Sequence, residues 1–157
     1  MPITLPVTLE QSARARLVTA EGQGPERGIT VTLRYASGDP LAIHVAFPAE
    51  ATLAGTEVTW AFARTLLDEG LRAPTGSGDV HVWPCGRART VVELHAPEGM
   101  AVVQFDTAVL RRFLTRSYAL VPAGGEDVAA VVDHALATLF GHDGGHDGGH
   151  TAHGGHA

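Results

Sequence analysis

The chain has 157 residues, 45% of them apolar and 6% aromatic, enough for one domain that buries about two thirds of the surface its unfolded form exposes and too few for a second of similar size. Seventeen acidic residues face eleven basic ones, all arginine, for a formal net charge of -6; so acidic a balance works against nonspecific nucleic-acid binding, which depends on clustered cations neutralising phosphates. No window approaches the roughly 18 apolar residues of a membrane span, no basic leader precedes an apolar core at the amino terminus, and the single Cys85 excludes an internal disulfide, so a cytoplasmic location is expected.

In chain order, residues 3–20 carry scattered apolar points at Val7, Leu9, Leu17 and Val18 and read as one long or broken strand. Residues 21–28, with three glycines and a proline, form a loop. Ile29, Val31, Leu33 and Tyr35 then alternate with Thr30, Thr32 and Arg34, the period of a strand with one buried face. After the turn residues Ser37, Gly38, Asp39 and Pro40, a second alternating run puts Leu41, Ile43, Val45 and Phe47 on one face, which predicts a hairpin. Between positions 58 and 71 the period changes from two (Val58, Trp60, Phe62) to helical (Ala63, Leu66, Leu67), so a strand runs directly into a short helix. Gly70 is expected to stop that helix by adopting a left-handed conformation.

Thr75 to Asp79 make a glycine-rich turn into a strand at 80–83, and two more strands fall near 90–95 and 100–105. Asp106 and Thr107 are suited to cap a helix reaching to about Tyr118, with Val109, Leu110, Phe113 and Leu114 as its apolar stripe. A last helix is predicted over 126–140 from the spacing of Val128, Val131, Val132, Ala135, Leu136 and Leu139. The order strands, helix, strands, helix, helix defines an α+β protein of antiparallel curved sheets with helices on one side.

The densest pattern is carried by Arg34, Tyr35, Asp39, Pro40, His44 and Phe47, by the run Trp60-Ala61-Phe62-Ala63-Arg64, by Leu66, Leu67, Glu69, Gly70 and Leu71, and by Pro74-Thr75-Gly76, Gly78-Asp79-Val80 and Val82-Trp83-Pro84. In these residues the chain resembles the SsgA-like proteins of actinomycetes, small regulators of sporulation-specific cell division. The resemblance spans roughly residues 5–140, so a domain is expected over 1–140 and a disordered tail over 141–157. It implies a Whirly-like layout, a homotrimer and recruitment to the septum. It also implies a non-enzymatic adaptor whose partners are other SsgA-like proteins, the tubulin-like FtsZ or cell-wall enzymes.

Candidate chemistry is sparse. Cys85 follows Trp83-Pro84 with His81 and Asp79 nearby in sequence, but neither a helix start nor a glycine elbow follows to supply an oxyanion site, so no catalytic residue is assigned. His44, on a strand face with Ala42 and Ala46, reads as a packed, hydrogen-bonded residue. His81 and Trp83 share a strand face, and Arg64 could join Arg111, Arg112 and Arg116 in a groove for acidic groups; Arg64, His81 and Trp83 are the candidate partner-binding residues. A solvated helix face accounts for the last three arginines without a ligand. The tail GHDGGHDGGHTAHGGHA carries His142, His146, His150, His153 and His156 on a flexible backbone, able to gather round Zn or Ni; no cofactor is required elsewhere. Two other functions are weighed against the adaptor: single-strand nucleic-acid binding, which the acidic balance and few aromatics oppose, and metal binding through the tail.

Overall fold

The computed structural model describes residues 5–18 and 27–125, and those up to Pro122 form one compact unit. In order they make strands β1 (Thr8–Val18), β2 (Arg27–Ala36), β3 (Ala42–Phe47) and β4 (Val58–Ala63), helix α1 (Arg64–Gly70), strands β5 (Val80–Cys85), β6 (Arg89–Ala96) and β7 (Gly99–Asp106), and helix α2 (Thr107–Leu120). The helix expected over 126–140 and the tail lie outside the described residues.

All seven strands join one antiparallel sheet in the order β4-β3-β2-β1-β7-β6-β5. Two meanders, β1 to β4 and β5 to β7, are fused where β1 meets β7, with Ala15 opposite Phe105. Helix α1 packs on both β4 and β5, the two ends of that order. One short helix can reach both only if the sheet curls, and the curl leaves a concave side for the core. Helix α2 packs on the central strands β1 and β7 and touches α1.

The alternation read in the sequence fixes which side chains face that core. In β2, Ile29, Val31, Leu33 and Tyr35 are all buried, and each fully buried aliphatic stabilises the fold by about 1.5–3 kcal/mol. The Tyr35 hydroxyl donates to the Pro40 carbonyl at 2.9 Å, tying the strand to the turn that ends it. In β3, Ile43, Val45 and Phe47 face inward. Leu41, expected to begin that face, lies outside the strand and is 46% exposed. Strand β1 buries Ala13 and Ala15, with Leu9 and Leu17 partly buried against the same core, while Val7 lies just before the strand and is exposed.

Two local expectations are corrected. Gly70 is not a left-handed cap: it is the last residue of α1, buried, and absent from the glycines with positive φ. A Cβ there would overlap Cγ1 and Cβ of Val82, so the glycine is what lets α1 lie directly on β5. At the start of α2, Asp106 occupies the cap position without a side-chain capping bond, and its carboxylate instead lies 3.4 Å from Arg89 Nε. The Thr107 hydroxyl pairs with that of Thr90 at 2.7 Å, both buried. The apolar stripe of α2 falls as expected on Leu110, Phe113 and Leu114, with Arg111, Arg112, Thr115 and Arg116 outside.

Candidate functional site

The strand-to-helix junction carries the largest departure from the sequence reading. Arg64, expected at a surface for partners, is 0% exposed and stands under the helices. It follows Val58, Trp60 and Phe62 at every second position, so the strand's own period turns it inward with Phe62. Its Nη1 donates to the Ser117 carbonyl at 3.1 Å, to Ser117 Oγ at 3.4 Å and to the Val121 carbonyl at 2.9 Å. The guanidinium also lies 4.1 Å from the Tyr118 ring centroid and 4.8 Å from that of Tyr35. A cation held against the carbonyls at the negative end of α2 is favoured by the helix dipole as well as by the rings. Tyr118 is anchored in turn by donating its hydroxyl to Asp68 on α1 at 2.8 Å. Arg64 is therefore an internal strut between α1 and α2.

His81 and Trp83 lie on the outward face of β5, both partly exposed. The register sets Trp83 opposite Val91 and His81 opposite Glu93. Trp83 thus covers Val91, an outward residue that is nonetheless buried. One step along β6, the His95 ring stands edge-on to the His81 ring with centroids 5.6 Å apart, and His95 Nε2 lies 2.6 Å from Glu93 Oε1. Met100, Val102 and Gln104 of β7 continue the patch opposite His95, Glu93 and Val91. The sheet's convex side here is a mixed apolar and titratable surface.

A second surface lies where β1 meets α2. Arg14, Arg112 and Arg116 line an open groove of about 530 Å³ with Gln11, Asp106 and Val109. Arg116 Nη1 donates to Gln11 Oε1 at 3.0 Å, and Gln11 Nε2 to the Val109 carbonyl at 3.3 Å. The arginines of α2 are thus joined by one from the sheet, a convergence that spacing along the helix alone does not reveal. A third, open groove of about 640 Å³ runs between Ala61 of β4, Thr65 and Glu69 of α1, and the loop Thr75 to Asp79. That loop turns back so that Thr75 and Val82 exchange backbone hydrogen bonds of 2.8 and 2.9 Å.

The possible nucleophile does not assemble. Cys85 is exposed at the end of β5, and His81, four residues back on the same extended strand, is displaced by about 13 Å along it. Asp79 is farther still. His44 faces outward from β3 between Arg34 and Ala61, with Nε2 at 3.9 Å from Asp39 Oδ2. The tail residues His142, His146, His150, His153 and His156 lie outside the described residues. No helix among the described residues is long and apolar enough to cross a membrane.

The described residues thus form a curled antiparallel sheet packed by two helices, with polar chemistry spread over open surfaces and the most buried cation serving as a strut. Residues 29–126 match the family model described as the Streptomyces sporulation and cell division protein SsgA. The sporulation-specific cell division protein SsgB of Kineococcus radiotolerans is 41% identical over 138 residues, 85% of this chain and 79% of that protein. SsgB of Streptomyces coelicolor is 40% identical over 128 residues, 77% of this chain and 89% of its own length. The crystal structure of the SsgA-like sporulation-specific cell division protein of Thermobifida fusca superimposes with a TM-score of 0.73 at 30% identity, covering 88% of this chain and 100% of that one. A solved structure from work relating SsgB mutations to longitudinal cell division in sporulating Streptomyces coelicolor gives a TM-score of 0.71 at 35% identity, over 82% of this chain and 99% of that one. The chain belongs to the SsgA family of sporulation and cell division proteins.

Proposed function

We propose that this protein is a non-enzymatic adaptor in sporulation-specific cell division, cytoplasmic and recruited to the septum, that works by contacts with SsgA-like partners and with FtsZ or cell-wall enzymes. The observation that carries the reading is the identity of about 40% with SsgB proteins over most of the chain. The placement of polar chemistry supports it: His81 and Trp83 sit on an open sheet face, and Arg14, Arg112 and Arg116 converge on an open groove. Both surfaces suit protein contacts, which draw on aromatic and arginine anchors. We further propose a Whirly-type layout and a homotrimer. Trp60 and Trp83 are partly exposed in the single chain and have apolar area left to bury against a second copy.

The test is a fluorescent fusion expressed in a sporulating actinomycete that lacks its own SsgB. Ladders of septal signal and restored septation are expected, and Trp83→Ala should weaken both while the purified variant stays folded. Diffuse or nucleoid signal with no restored septation would overturn the adaptor reading. A light-scattering mass of one chain at micromolar concentration would overturn the trimer.

A further inference from the structure

We propose that the groove between β1 and α2 takes an acidic peptide segment of a partner protein as an added strand along the open edge of β1. The inference names the chemistry of a partner and so rests on the adaptor reading above. Strand β7 pairs with β1 only from Ala15 to Val18, so among the described residues no strand covers the same edge from Thr8 to Ala13. That stretch offers about 20 Å of extended backbone.

The direction of its backbone groups follows from the pairing on the other side. The Val7 carbonyl accepts from the Ser37 amide at 2.9 Å and the Val7 amide donates to Ser37 Oγ at 2.8 Å, so the main chain of Val7 faces β2. The register continues unbroken from there, with Thr8 opposite Ala36 and Ala13 opposite Val31. Alternate residues of an antiparallel strand turn both backbone groups to the same side. Leu9, Gln11 and Ala13 therefore bond to β2, while Thr8, Glu10 and Ser12 turn N–H and C=O to the open edge. Such a row of groups is a template for another strand. Ser12 and Ala13 line the groove on this side, and Val109, Arg112 and Arg116 line it from α2.

Charge selects the occupant. Among the described residues Arg14 and Arg112 make no hydrogen bond or ion pair, and Arg116 donates to the neutral Gln11 side chain. The carboxylates nearby are engaged elsewhere, Glu10 with Arg34 at 2.7 Å and Asp106 beside Arg89 at 3.4 Å. Successive side chains of an added strand point to opposite faces of the sheet. Arg14, alternating with the buried Ala13 and Ala15, stands on one face, and α2 with Arg112 and Arg116 stands on the other. Acidic side chains on either face of the peptide thus meet an arginine. Edge charges also deter stray strands, but that role needs no arginines brought in from a helix.

The probe is a capped, fluorescein-labelled peptide of alternating pairs of glutamate and valine, about six residues long to match the edge, titrated into the full-length chain by fluorescence anisotropy. Saturable binding that weakens with salt is expected. A glutamine version, a version N-methylated at every residue, and the Arg112→Glu, Arg116→Glu double variant should each bind about tenfold or more weakly. In the unsubstituted chain the peptide should shift the amide NMR signals of Glu10 and Ser12 and slow their hydrogen exchange, so a variant that misfolds does not blunt the test. No saturable binding, equal binding of the N-methylated peptide, or binding that leaves the Ser12 amide unmoved would overturn the groove. So would a Ser12 amide already protected in the free chain, the result if a second copy or the chain's own carboxy-terminal segment fills the edge. The titration is done on purified protein, so its failure in a chain that still forms septal ladders overturns the groove and leaves the adaptor reading standing.

Discussion

Arg64 offers the sharpest test of how the fold is held together. Truncation to Ala removes the hydrogen bonds to Ser117 and Val121 and the stacking on Tyr118 and Tyr35. A hydrogen bond from a charged group contributes about 1.5–3 kcal/mol, and a desolvated cation–π contact about 2 kcal/mol. Part of this is offset because the variant no longer buries an ion. A net loss of about 3–5 kcal/mol is expected, a large fraction of the 5–15 kcal/mol by which domains are usually stable. Arg64→Met separates packing from polarity: it keeps most of the stem volume but leaves the Val121 and Ser117 carbonyls without this donor, for a loss of about 2 kcal/mol. The assay is urea unfolding followed by the fluorescence of Trp60 and Trp83, with the slope checked for constancy. An Arg64→Met variant as stable as the parent would refute the strut, because apolar packing alone would then suffice.

Gly70→Ala should cost about 1–3 kcal/mol by overpacking, because its Cβ meets Val82; the loss should shrink in a Val82→Ala background, as a double-mutant cycle in urea would measure. Thr90→Val alone strips the buried Thr107 hydroxyl of its partner and should cost about 1–3 kcal/mol, while Thr90→Val with Thr107→Val should recover most of it in thermal unfolding. Cys85→Ser, at an exposed strand end, should leave stability within about 0.5 kcal/mol of the parent in the same thermal assay.

The strands were legible because burial on one side forces a period of two, and in β2 every alternate residue from Ile29 to Tyr35 obeys it. Helix α2 was legible for the same reason at its own period. Arg64 was misread because a charged residue is usually found outside, yet the signal was present: continuing the period of Val58, Trp60 and Phe62 places position 64 inward. The role of Gly70 could not be read locally, since its constraint is Val82, brought against it only when α1 lies down on β5. The cluster of His81, Glu93 and His95 and the groove of Arg14 with Arg112 and Arg116 depend on strand register and helix docking, which join residues distant in sequence. The sheet's central seam was equally hidden, because nothing local announces that the first strand pairs with the last.

That seam has a consequence for the order in which the chain takes shape. As the polypeptide leaves the ribosome, β1 to β4, neighbours in both sequence and sheet, can pair one after another, but the second edge of β1 waits for β7, about ninety residues later, from Ala15 to Phe105. For that interval β1 is a sheet edge open to other nascent chains, the situation in which strand proteins aggregate. Arg16 sits on the outward face of that waiting stretch, where its charge discourages a stray strand from docking before the intended one arrives.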